Sequence, residues 1–210
     1  MKQIVLVRHG QTKWNVAEIF RGRTDIGLNE TGTKQAELLA EYLNEVKIDA
    51  IYSSPLKRAL KTAEPVAENH KLDVEIATDL IDFNYGKWQG LSHREVKRKY
   101  KELYAQWITN PHLVKMPDGE SLDDVKERAM QIVNRVINKY EGTAALISHH
   151  VVNKVLICAL LGLNNSHFWN IKQDTGGITT FAYENEKFIL TNHNDTSYLK
   201  SIKKAPLGDF

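Results

Sequence analysis

Strand-length apolar runs alternate with helix-length amphipathic segments along this chain, and that alternation leaves few ways to fold it. Residues 4–7 (IVLV), 48–54 (IDAIYSS), 72–77 (LDVEIA) and 143–148 (TAALIS) read as short buried strands. Between them, residues 31–46 carry apolar side chains at helical spacing. Residues 55–70 read as a helix with Pro55 in its first turn and a break or kink at Pro65. Ser121 and Asp124 form a capping box that opens a helix with Leu122, Val125, Ala129, Ile132, Val133, Val136 and Tyr140 on one stripe. Residues 151–161 make an apolar helix closed by Gly162, and residues 178–193 read as a hairpin around ENEK. Strands joined by helical crossovers build βαβ units. The expected fold is therefore α/β, a mainly parallel sheet with helices on both faces. Residues 82–120, punctuated by glycine and proline with a helical patch at 93–107, are expected as an inserted cap over one end of the sheet.

In such a sheet ligands bind beyond the carboxyl ends of the strands. Arg8 and His9 follow the first strand there, Arg58 follows the second, Asp82 the third, and His149 and His150 the strand at 143–148. Four segments thus bring a cationic set to one edge. Paired guanidinium donors suit phosphate or carboxylate oxygens. A neutral imidazole is a nucleophile near neutral pH that does not repel a phosphate. Attack by His9 on phosphorus gives a phosphohistidine, and the departing alkoxide needs a proton, which Asp82 is placed to give. His149 is favoured over His150 because it directly ends its strand. Tyr85 and Trp88 flank Asp82 and are expected as substrate contacts. The remaining histidines, His93 among them, read as surface or packing residues.

Composition narrows the alternatives. A formal net charge of +2 gives no field that implies nucleic acid or a membrane surface. The single cysteine, Cys158, lies in an apolar run, so neither an intrachain disulfide nor a cysteine zinc site is expected, and a reducing compartment is compatible. No apolar stretch suits a signal peptide or a membrane span, and the expected location is cytoplasmic. GLNETGTK lacks the spacing and the preceding strand of a P-loop, and there is no Gly-x-Ser-x-Gly elbow.

LVRHGQTKWN resembles the signature of the histidine phosphatase superfamily, the phosphoglycerate mutase-like family. The likeness continues in order through RGRTDIGLNETGTKQAELLAEYL, IYSSPLKRALKTA, NYGKWQGL, PDGESL and LISHH, about three quarters of the chain. The remainder looks closest to the short bacterial phosphatases, metal-independent phosphoserine phosphatases among them. The resemblance implies one domain over residues 1–210 and His9 as the phosphorylated nucleophile. It implies Arg8, Arg58 and His149 as the rest of the phosphate pocket, with Asn15 a further donor and Thr12 and Arg21 additional candidates. It implies no metal or organic cofactor and a small phosphorylated metabolite as partner, and it leaves a homodimer open. The family usually carries glutamate where this chain has Asp82, one methylene shorter, and Gln89 does not replace it; Asp79 is the fallback acid. Phosphoglycerate mutase-type transfer and non-catalytic phospho-ligand binding are the rival readings.

Overall fold

Side chains of the central strands enter two separate cores by turns, which is why their sequences are continuously apolar rather than alternating. In this computed structural model, which describes residues 2–202, β1 (Lys2–Arg8) sends Ile4 and Leu6 to one face and Val5 and Val7 to the other. β4 (Thr143–Ser148) does the same with Ala144 and Leu146 against Ala145 and Ile147. With β2 (Ala50–Ser53), β3 (Val74–Ile76), β5 (Ile178–Glu184) and β6 (Lys187–Asp195) they form a six-stranded sheet in the order β3-β2-β4-β1-β5-β6. The first four in that order run parallel, as expected, and the hairpin adds two antiparallel strands at the β1 side. Its turn residues Asn185 and Glu186 both take positive φ (49° and 61°), the twist that a two-residue hairpin loop requires. The expected domain limits include residue 1 and residues 203–210, which lie outside the described residues.

α2 (Glu30–Leu43) and α3 (Lys57–His70) cover one face through Leu39, Leu43, Ala59, Ala63 and Val66. α6 (Leu122–Lys139) and α7 (His150–Leu160) cover the other. The capping box holds: Ser121 Oγ accepts from the Asp124 amide and Asp124 Oδ2 from the Ser121 amide. Two expectations need correction. α3 runs unbroken through Pro65, and Pro55 lies ahead of its first residue. The amide bond that Pro65 removes would have reached the carbonyl of Lys61, a residue on the exposed side of the helix. The helical patch in the cap is two helices, α4 (His93–Lys99) and α5 (Lys101–Thr109), split at Tyr100 (φ −130°, ψ 47°). The cap is stitched to the loop after β1: Phe20 N donates to Leu91 O and Gly90 N donates to Phe20 O. Among the described residues no helix is long and apolar enough to cross a membrane.

Candidate active site

Register places the site. Arg8 lies opposite Ser148 on the adjacent parallel strand, so His9 and His149 leave neighbouring strand ends, with ring centroids 5.2 Å apart. His9 is fully buried. Its Nδ1 contacts the carbonyl of the next residue, Gly10 O, at 2.6 Å. A carbonyl only accepts, so Nδ1 carries the proton and Nε2 holds the lone pair. Nε2 has no hydrogen-bond partner. The loop that holds the ring rests on two glycines: a Cβ on Gly10 would meet Gly32 O at 2.5 Å, and one on Gly32 would meet Gln11 O at 2.0 Å. Gly10 N also donates to Thr62 Oγ1, which donates in turn to Arg58 O. Burial first, then the charge of Arg58, with Arg8 and Arg21 adding to it, hold the His9 imidazole well below its ordinary 6.5. The ring is neutral and nucleophilic at neutral pH.

Arg58, at 0% exposure, is the strut behind that ring. It donates to Gly22 O (2.7 Å), Thr24 O (2.9 Å), Asp82 Oδ2 (2.8 Å) and His149 Nδ1 (3.2 Å). His149 is neutral by the same causes as His9, burial foremost and Arg58 next. With Nδ1 accepting from Arg58, Nε2–H is the donor to Ser54 Oγ at 2.7 Å. Asp82 accepts at both oxygens, from Arg58 and from the Phe83 amide at 2.8 Å, the pattern of an ionised carboxylate. Its Oδ2 is 3.5 Å from His149 Nδ1. The missing methylene therefore does not strand this carboxylate outside the pocket; it lies against the pocket arginine. Arg8 Nη1 donates to Gln173 O at 2.5 Å.

Asn15 and Arg21 also come to the site. Asn15 Oδ1 accepts from the Thr12 amide and hydroxyl, which leaves its buried Nδ2 as a donor with no partner. Arg21, Asp82 and Tyr85 line a cavity of about 20 Å³ beside the catalytic groups. Two expectations fail. Thr12 is a helix cap: its hydroxyl is engaged by Asn15 at the start of α1 (Lys13–Val16). Trp88, 0% exposed, is core, packed on Phe20, Tyr100 and Tyr104, because the 3₁₀ turn at Gly86–Trp88 aims it inward. Asp79 faces Arg135 at 3.2 Å, away from the pocket. His150 and His93, set aside in the sequence, both line the cavity. A clasp around Asp82 was not visible either. Arg23 and Arg128 donate to Asp82 O, and Glu120 binds both arginines and the Asn84 amide. Only the PDGESL stretch, which holds Glu120, hinted at it. Among the described residues no cluster of three or more histidine, cysteine or acidic side chains is arranged to hold a metal ion.

A neutral imidazole with a free lone pair, in the field of Arg8, Arg21 and Arg58, is suited to one class of chemistry, covalent transfer of a phosphoryl group through histidine. The chain belongs to the histidine phosphatase superfamily, branch 1, whose model matches residues 4–196, and it is a phosphomonoester hydrolase. It is 36% identical over 200 residues to phosphoserine phosphatase 1 of Hydrogenobacter thermophilus, across 95% of both chains. It is 32% identical over 203 residues to the metal-independent phosphoserine phosphatase of Arabidopsis thaliana, covering 95% of this chain and 84% of that one. The solved structure of Bacillus stearothermophilus YhfR superposes with a TM-score of 0.91 at 29% identity, over 95% of this chain and all of the other.

Proposed function

We propose that the chain hydrolyses monoesters of small phosphorylated metabolites, phosphoserine first among them, through a phosphohistidine at His9 and without a metal ion. The observation that carries this is the His9 tautomer: Nδ1 is fixed as a donor on Gly10 O, and the unpartnered Nε2 keeps the lone pair. The Nε2 lone pair attacks phosphorus while the bond to the ester oxygen breaks and its electron pair leaves on that oxygen. Arg8, Arg58 and Asn15 Nδ2 are the groups placed to meet charge on the equatorial oxygens. Asp82 rests as a carboxylate, so the proton for the leaving oxygen arrives with the substrate. The monoanionic ester gives its proton to Asp82, and Asp82 passes it on. In the second half Asp82 takes a proton from water, water attacks phosphorus, and the P–N bond returns its pair to Nε2. His149 is the neighbour whose Nε2–H, held on Ser54 Oγ, turns to a phosphoryl oxygen with the ring still neutral.

The names of the relatives support phosphoserine, and the metal-independent relative supports turnover without a cation. A cytoplasmic location and a homodimer belong to the same reading; a buried, unpaired Cys158 suits a reducing compartment. Cell fractionation and light scattering test these two. The decisive experiment is a panel of phosphate monoesters assayed with EDTA, beside a mutase assay. Hydrolysis that survives chelation and vanishes in His9→Ala, with acid-labile labelling of the wild type alone, is expected. Near-wild-type turnover in His9→Ala refutes the mechanism.

A further inference from the structure

Asp82 stands in a stretch with neither helix nor strand, between the 3₁₀ turns Thr78–Leu80 and Gly86–Trp88. No backbone ladder fixes it there; charged side chains do. Its carbonyl oxygen takes Arg128 Nη2 at 3.3 Å and Arg23 Nε at 3.4 Å. Three residues back, Asp79 O takes Arg128 Nη1 at 2.7 Å. Two residues on, the Asn84 amide donates to Glu120 Oε2 at 2.8 Å, and Asn84 O accepts from Glu120 N at 2.9 Å. Glu120 closes the set, with Oε1 2.8 Å from Arg23 Nη2 and 2.9 Å from Arg128 Nε. The loop after β1, the end of the cap and α6 thus meet on the backbone of one short segment.

Packing alone does not ask for such a set. Apolar side chains of similar volume join segments without dehydrating charges. What they cannot do is fix direction. The Arg128 guanidinium is a planar fork that serves two carbonyls and a carboxylate at once, and each of those bonds weakens when bent. Direction matters at Asp82 because an aspartate has only two side-chain torsions. Both are fixed by the bonds of its carboxylate to Arg58 and to the Phe83 amide. A displaced backbone therefore displaces the carboxylate with it, and proton transfer requires a reach of about 2.6–3.2 Å to the leaving oxygen.

We infer that Glu120, Arg23 and Arg128 are positioning residues: they hold the Asp82 backbone where its carboxyl reaches the leaving-group oxygen, and they act on the reaction only through Asp82. The inference rests on the phosphomonoesterase reading above, with Asp82 as proton donor. It extends the machinery to three residues that do not line the cavity beside His9.

The readout is kcat/KM, which reports the steps up to phosphoryl transfer. It is measured on phosphoserine, whose alkoxide needs a proton, and on nitrophenyl phosphate, whose phenolate does not. The ratio of the two within one preparation does not depend on the fraction folded. Glu120→Gln removes the charge and sets an NH2 against one of the donors. It lowers the phosphoserine value roughly 10- to 100-fold, part of what a general acid is worth, and the nitrophenyl value by less than about threefold. Arg128→Lys keeps the charge and loses the fork; it gives the same split and takes the place of Glu120→Gln if that variant does not fold. In an Asp82→Asn background either change lowers the phosphoserine value by less than about threefold, because no acid is left to position. Calorimetric binding of inorganic phosphate is unchanged, whereas a clasp working through its charge would alter it. Equal losses on both esters, full additivity with Asp82→Asn, or altered phosphate affinity overturns the inference. A wild type that hydrolyses no monoester defeats the phosphatase reading and this inference with it. Turnover that depends on His9, with an unmoved ester ratio in both variants, defeats the clasp alone.

Discussion

Asp82→Asn separates proton transfer from everything else the pocket does. The substitution keeps one acceptor oxygen, which, turned to Arg58, sets an NH2 donor against the Phe83 amide, and it removes the charge and the exchangeable carboxyl proton. Arg58 then loses its only anionic partner among four acceptors, with Gly22 O, Thr24 O and His149 Nδ1 remaining. Deleting one member of a buried ion pair outright costs about 3–5 kcal/mol. With three acceptors and the amide oxygen left, about 2 kcal/mol is expected, near the worth of one charged hydrogen bond. That corresponds to a fall in Tm of roughly 4–8 °C for a chain of this size, so the variant stays folded at 25 °C. Catalysis should suffer more. A general acid typically contributes about 10²–10⁴-fold, and the whole of it is at stake when the leaving group is a basic alkoxide. A nitrophenolate departs nearly unaided. The assay is therefore kcat on phosphoserine against kcat on nitrophenyl phosphate, at one pH and with Tm measured in parallel. A loss of about 10²-fold or more on the first and less than about tenfold on the second is the expected result. Equal losses on both esters would refute the acid role and reduce Asp82 to an anchor for Arg58.

Arg58→Ala should cut turnover by about 10³-fold or more and weaken inorganic phosphate binding, measured by calorimetry, because it removes the strut shared by Asp82 and His149. Stability should fall on acidification. Unfolded His9 and His149 take up protons below about pH 6.5 whereas the folded rings, held well below that value, do not. The contribution is thus full above pH 6.5 and shrinks as pH drops, by up to about 3 kcal/mol per pH unit for the pair. A Tm that is flat from pH 7 to pH 5 would contradict it, and His9→Gln should lessen the slope. Asp82→Glu should lower activity, since the shorter acid already contacts Arg58 at 2.8 Å; a gain in kcat would show that the family's longer acid is better even here. Gly32→Ala should disrupt the catalytic loop through its clash with Gln11 O, lowering kcat while Tm falls by a few degrees.

The architecture was readable wherever the signal is local. Continuous apolar runs such as TAALIS announce strands buried on both faces, and Ser121 with Asp124 marks a helix start within a residue. The site residues were readable because strand ends converge and because LVRHG and LISHH are long motifs. Tertiary decisions were not readable. Whether Pro65 breaks α3 depends on which side of the helix loses its bond. Trp88 reads equally well as pocket or core until the 3₁₀ turn gives it a direction. The clasp of Arg23, Glu120 and Arg128 on the Asp82 backbone joins residues up to 97 positions apart, beyond any local pattern. The tautomers of His9 and His149, on which the chemistry turns, are set by Gly10 O and Arg58 Nε, partners that residue types alone do not identify.

The place of β1 between β4 and β5 carries a cost in time. Gln3 pairs with Thr143 and Val7 with Ile178, so β1 leaves the ribosome with no neighbour on either side until residues 143–178 have followed it. At typical elongation rates that wait is on the order of ten seconds. Throughout it IVLV is an unpaired apolar edge, the kind of segment that chaperones cover and that aggregates when they do not. His9 is synthesised well before the strands that complete its pocket.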